Sequence, residues 1–245
     1  MNSIGKNIKN FLLDIFFPKS CLGCKKPGTY LCNNCLNKIE IENEPICFFC
    51  QRPIPSSSIC LPCQKKYYLN KLIWAVSYSN PLIKKIIKIF KYHYVKELYL
   101  PLAQLLIKTL SSKELFLSEE TIITPIPLHQ RRLREREFNQ SELLAKEVAK
   151  HYSFLFFNVL SRKKYTRPQA KIKEHKTRKN SLKDVFEISQ EFIEICLESK
   201  QNLLKDRKII LVDDVATTGA TLVEAAKTLK KAGVKEVWAL VIAKG

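Results

Sequence analysis

Hydrophobic spacing divides the chain in two. Up to Cys63 the sequence is organised by cysteines, after an apolar lead-in, "FLLDIFF" at residues 11–17. Beyond Cys63, strand-like and helix-like runs alternate. "LIWAVSY" at 72–78 is β-branched and aromatic and predicts a strand. "PLIKKIIKIFKY" follows with Leu82, Ile86, Ile89 and Phe90 at helical spacing, and the helix reading sets Lys84, Lys85, Lys88 and Lys91 off that face. A second helix is predicted over 95–110, a buried strand at 121–127, and a helix over 139–150 in which Asn139 and Glu142 have capping-box spacing. "FLFFNVL" at 154–160 reads as one strand, "DVFEI" at 184–188 and "KIILV" at 208–212 as others. Residues 190–205 are acidic and helix-like. A helix over 221–232 stops at Gly233, and a last buried strand spans 234–243. This alternation predicts an α/β domain over 67–245, a mostly parallel sheet flanked by helices, behind a small Cys-rich domain over 1–66.

Charge adds a ligand class. Lys and Arg outnumber Asp and Glu by 42 to 23, a net +19, which favours polyanions such as nucleic acid or phosphorylated ligands. From Arg131 to Lys183 there are 16 basic and 5 acidic residues, so that segment holds most of the excess. A solvated Lys-rich surface is the plain alternative. No run reaches the roughly 18 apolar residues of a spanning helix, and Asp14 interrupts the lead-in. A cytoplasmic protein with no transmembrane segment is expected.

Eight of the nine cysteines fall in four CxxC pairs: Cys21/Cys24, Cys32/Cys35, Cys47/Cys50 and Cys60/Cys63. Four such pairs in an unexported chain predict two structural Zn2+ sites, all-sulfur and therefore closed to a catalytic water. "CLGCKKPGTYLCNNC" and "CFFCQRPIPSSSICLPC" are a repeat, which favours tandem ribbons, with a cross-braced pairing left open. Cys196 reads as a buried small hydrophobe.

"KIILVDDVATTGATLVEAAK" at 208–227 places two acids, three threonines and a glycine between a strand and a helix. At the carboxyl end of a parallel strand such a turn binds anions. Val215, Ala216, Thr217, Thr218, Gly219, Ala220 and Thr221 offer backbone N–H groups, hydroxyls and a helix N-terminus. No Lys follows the glycine, so the turn is not a nucleoside-triphosphate loop. Asp213 and Asp214, at the exposed end of the strand, would repel a phosphate but accept hydrogen bonds from sugar hydroxyls, which points to a sugar phosphate.

"ILVDDVATTGAT" resembles the phosphoribosyl-diphosphate motif of type I phosphoribosyltransferases. Together with "CLGC", "PIPLHQRRLREREFNQSELLA" and "LSRKKYTRPQAKIKEHKTRKNSLKDVF" it is similar to the ComF family of competence-associated proteins. Glu137 stands where the resemblance has Gly, and Lys171 lies in a loop usually less basic. The resemblance implies a double zinc ribbon before a phosphoribosyltransferase-like domain. It implies a diphosphate loop at 124–129 containing Thr124 and Pro125, with Arg131 and Arg132 just beyond, and a flexible loop at 161–183 holding Arg162, Arg167 and Gln169. Phosphoribosyl diphosphate with Mg2+, single-stranded DNA and competence DNA-translocation proteins are the implied ligands and partners. Tyr92, Tyr94, Phe138 and Tyr165 near basic residues suit strand stacking. Three functions are open: DNA handling in natural transformation, an active transferase of nucleobase salvage in which Asp213 and Asp214 hold the ribose during catalysis, and a zinc-organised interaction module with a vestigial pocket. No residue stands out as acid or base for a nucleobase.

Overall fold

The β-branched runs pair as the alternation predicts. A computed structural model describes residues 19–54, 59–93, 95–113, 115, 117–164 and 184–245. The lead-in at 11–17, Tyr94, Tyr165, Arg167, Gln169 and Lys171 lie outside the described residues. In chain order the elements are α1 (Asn33–Asn37), α2 (Leu61–Tyr67), β1 (Lys71–Ser77), α3 (Pro81–Tyr92), a 3-10 turn (Lys96–Leu98), α4 (Tyr99–Ser111), β2 (Ile122–Pro125), α5 (Gln130–Arg136), α6 (Gln140–Tyr152), β3 (Leu155–Phe156), β4 (Leu160–Arg162), β5 (Phe186–Ile188), α7 (Gln190–Glu198), β6 (Lys208–Ala216), α8 (Ala220–Lys231) and β7 (Glu236–Lys244). Five strands form one parallel sheet in the order β1-β7-β6-β2-β3.

Strand alternation builds two cores. Ile210 and Val212 of β6 point to one face, where α3, α4 and α6 bury Ile83, Ile87, Leu102 and Leu144. Ile209 and Leu211 point to the other, under α7 and α8, with Phe192, Leu222 and Leu229. Each such buried side chain contributes about 1.5–3 kcal/mol, and this double layer fixes which way each residue of β6 faces.

The run at 154–160 is not one strand. β3 leaves the sheet after Phe156 because the amide of Val159 is taken by the buried hydroxyl of Thr124 (3.1 Å). Leu160 then starts β4, which pairs antiparallel with β5. The basic stretch at 161–183 therefore begins in a strand, and Arg162 is anchored on β4 over the ring of Phe186 (5.4 Å). Asn139 caps α6 through Ser141 N (3.1 Å), but Glu142 pairs with Lys146 (2.7 Å), so the expected capping box is half made.

The two cysteine units repeat in three dimensions. The amides of Cys21 and Cys47 donate to Lys26 O and Arg52 O, both at 2.8 Å. Lys25 and Gln51 both turn left-handed, and Cys32 and Cys60 donate their amides to the sulfurs of Cys21 and Cys47 at 3.4 Å. The first unit packs with α3 and α4, the second with α8, on opposite faces of the sheet. The chain between them runs along the open edge of β1, where Glu42 N donates to Ala75 O (2.8 Å) and Trp74 Nε1 donates to Glu42 (2.8 Å). A bare edge strand is thereby covered.

Candidate functional site

The pocket lies where β6 hands over to α8. β6 runs through Asp213, Asp214, Val215 and Ala216, so the turn itself is only Thr217, Thr218 and Gly219, with Ala220 and Thr221 in the first turn of α8. Gly219 adopts φ +71°, the left-handed region a side chain disfavours. Thr218 Oγ1 accepts from Ala220 N (3.4 Å), and Ala216 O accepts from Gly245 N (2.9 Å), tying the turn to the end of β7.

The acids are not on an exposed strand end. Following Ile210 and Val212, Asp214 points into the α3/α6 layer and is 6% exposed. There it meets Lys91 of α3, Nζ to Oδ1 2.7 Å. Lys91 is thus not on a solvated helix face. It lies four residues after Ile87 and eight after Ile83, on the buried stripe, a spacing that was available in the sequence. Burial alone would push the Lys91 ammonium down, but the carboxylates of Asp214 and Asp213 outweigh it and hold it above its usual value. Gln140, whose side chain donates to Phe90 O (3.3 Å), fastens this end of α3 to the start of α6.

Asp213 is half-buried, and its Oδ1 accepts from Ser141 Oγ (3.0 Å) and Asp214 N (2.9 Å). Burial, then the Asp214 charge, push its carboxyl up to about 6, against Lys91 and the two hydrogen bonds. Arg162 of β4 lies within electrostatic reach of Asp213. Burial, then the neighbouring Arg132, push the Arg162 guanidinium down to about 10, while Asp213 supports its charge. The carboxyl end of β6 thus joins the acid pair to Lys91 from α3 and Ser141 from α6, with Arg162 from β4 in electrostatic reach of Asp213 and Arg132 from α5 in reach of Arg162. The strand-to-helix motif pointed to the acid pair and the family resemblance to Arg132 and Arg162, while neither pointed to Lys91 or Ser141. Ser141 had no signal beyond its place after the Asn139 cap.

The remaining candidates divide. Thr124 and Pro125 are buried on β2, and the Thr124 hydroxyl accepts from Val159 N. Arg131 is exposed and pairs with Glu135 along α5 (3.1 Å). Arg136 lies over the ring of Tyr92, which is half-exposed (5.3 Å), and donates to Gln140 Oε1 (3.1 Å). Phe138 packs on Phe90 as core rather than surface (5.8 Å). Cys196 is partly open at the margin of the second core. Glu137, closing α5, has φ +64°, so the position expected to be Gly is one whose conformation suits Gly.

The eight thiols fit two zinc ions in tandem. Cys21, Cys24, Cys32 and Cys35 form one group and Cys47, Cys50, Cys60 and Cys63 the other, each with its sulfurs within 4.8 Å. Sulfurs 2.3 Å from a tetrahedral zinc stand about 3.8 Å apart. Here Cys21 and Cys32 are 3.7 Å apart, Cys24 and Cys32 3.6 Å, and Cys50 and Cys60 3.6 Å. Burial pushes the Cys21 and Cys47 thiols up, but surrounding backbone N–H groups outweigh it and bring both down to about 6, which favours the thiolate that a metal binds, the proton going to water.

Two known domain families match the chain in succession. A model of the double zinc ribbon domain matches residues 12–64, and one of the phosphoribosyl transferase domain matches residues 139–245, from the cap of α6 through the acid pair to the end of β7. Competence protein F of Haemophilus influenzae is 28% identical over 86% of this chain and 96% of its own length. Competence protein ComFC of Bacillus subtilis is 27% identical over 85% of this chain and 81% of its own. The chain is similar to these competence proteins over most of its length. DNA utilization protein YhgH of Escherichia coli is also similar, 27% identical over 87% of this chain and 96% of its own length. Among the described residues no helix is long and apolar enough to cross a membrane.

Proposed function

We propose that the protein handles single-stranded DNA during natural transformation, in the cytoplasm, through a pocket that binds phosphoribosyl diphosphate with Mg2+. The observation that carries the ligand is the joining of a buried acid pair to a three-residue turn and the N-terminus of α8. The turn's backbone N–H groups and the hydroxyls of Thr217, Thr218 and Thr221 suit the 5-phosphate. The ribose hydroxyls would donate to Asp213 and Asp214. A half-buried carboxylate beside a diphosphate is the kind of ligand Mg2+ takes, and Asp213 fits that role, with Mg2+ neutralising diphosphate charge when bound. Arg132 and Arg162, close enough to feel each other's charge, would suit the diphosphate, and Arg167 and Gln169 of the basic stretch would add to it.

The DNA reading rests on the neighbouring surface. α5 buries none of its residues and presents Arg131 and Arg134 outward, beside Tyr92 and Arg136. Cations with an exposed aromatic ring suit a backbone track with a stacking platform. The names of the relatives, competence proteins and a DNA utilization protein, support the same process, in which competence DNA-translocation proteins would be partners.

A second reading, a phosphoribosyltransferase of nucleobase metabolism, is favoured by one feature. Arg162, in electrostatic reach of Asp213, and Arg132 near it would suit stabilising departing pyrophosphate. Calorimetry with phosphoribosyl diphosphate and Mg2+ tests the pocket: wild type should bind and Asp214→Ala should not. A wild-type chain that takes up no ligand overturns it. Pyrophosphate release with a panel of bases decides between binding and turnover.

A further inference from the structure

The second ribbon is seated on the phosphate turn. A Cβ built at Gly219 would stand 3.0 Å from Cε1 of Phe48 and 3.0 Å from Cε1 of Phe49. These are the two residues between the ligands Cys47 and Cys50. Phe48 is buried against Trp74 (centroids 6.2 Å) and meets Phe49 edge-on (5.1 Å). Phe49 is stacked on Tyr67 of α2 at 4.0 Å. The rings therefore occupy the space that the missing Gly219 side chain leaves, and they are braced from behind.

The first ribbon provides an internal control. Its equivalent residues are Leu22 and Gly23, and a Cβ at Gly23 would meet Cys35 Sγ at 2.8 Å and Leu82 of α3 at 3.5 Å. That knuckle packs on a helix of the opposite face. Of the two similar ribbons, only the second puts its knuckle against the turn, through two phenylalanines and its place on that face of the sheet.

We infer that Phe48 and Phe49 are positioning residues of the phosphate turn, and that metal in the second ribbon, by fixing the knuckle that carries them, sets the turn's conformation. The physical reason is mechanical. Four sulfurs sharing one ion hold the Cys47–Cys50 backbone rigid, and the rings transmit that rigidity to a glycine that has no side chain to hold it. Without the ion the knuckle loses its common anchor, the rings shift, and Thr217 to Gly219 lose their wall. Ligand affinity then follows the state of the second ribbon, and not that of the first.

The ligand half of this inference rests on the proposed pocket, so the test reads the turn separately. Hydrogen exchange at the amides of residues 217–221 is measured in the ligand-free, zinc-loaded protein, with calorimetry using phosphoribosyl diphosphate and Mg2+ beside it. Phe49→Ala should speed exchange in the turn about tenfold and weaken the ligand by a similar factor, while Phe49→Leu, which refills part of the space, recovers much of both. Cys60→Ser should reproduce the effect, and Cys32→Ser, in the first ribbon, should leave the turn unchanged. If Cys60→Ser does not fold, the Phe49 pair still decides the matter. Unchanged exchange in Phe49→Ala, or equal effects from the two cysteine variants, overturns the inference. Faster exchange in a protein whose wild type binds no phosphoribosyl diphosphate supports the coupling and removes the pocket's ligand instead.

Discussion

Asp213→Asn should make the ligand-free protein more stable at pH 7.5. Asn keeps the Oδ1 that accepts from Ser141 Oγ and Asp214 N, and removes only the charge. The wild-type carboxyl is carried from near 3.8 to about 6 by burial and by Asp214. Each tenfold change in proton affinity is worth about 1.4 kcal/mol, so the charged form costs the fold about 3 kcal/mol at most. The edge of Asp213 still open to water brings this to about 1–2 kcal/mol. In a chain of this size that is a rise in Tm of about 2–8 °C. The sign follows from proton counting. Between 3.8 and 6 the folded chain binds more protons than the unfolded one, so the wild type loses stability as pH rises through that window. The advantage of Asp213→Asn should therefore be full above about pH 6.5, smaller at pH 5 and nearly gone below pH 4. Thermal melts of both proteins across that range measure it. A variant melting at or below wild type at pH 7.5, or an advantage that does not shrink with acid, would refute the claim that this carboxylate is held at a cost for function.

Lys91→Met should cost about 3–5 kcal/mol at pH 7.5 by stranding Asp214 beside Asp213, and the Lys91→Met/Asp214→Asn pair should recover most of it, read by urea unfolding. Glu137→Gly should gain about 1 kcal/mol by relieving its left-handed backbone, again by urea unfolding. Single-strand affinity should fall with salt, with a log–log slope of about −0.7 per phosphate neutralised. Reversing the exposed Arg131 and Arg134 should flatten that slope in a salt titration without creating sequence preference, and an unchanged slope would remove α5 from the track.

Metal ligation and the sheet were legible in the sequence because both are written locally. Four CxxC pairs can hardly be read otherwise, and strand runs of period two between helical stripes imply parallel pairing. The turn at Thr217 to Gly219 was legible for the same reason, since a strand, small residues and a helix follow one another in immediate succession there. What tertiary structure decided is which distant groups face that turn. Lys91 lies on the buried stripe of α3 by spacing, yet only the sheet order places that stripe against Asp214. Thr124 sits in a stretch expected to hold a ligand, and its hydroxyl accepts from the chain leaving β3, a contact between residues 35 apart in sequence. The seating of Phe48 and Phe49 on Gly219 is more remote still. Sequence records two nearly equal ribbons, and the sheet separates them onto opposite faces, so that only one can reach the phosphate turn.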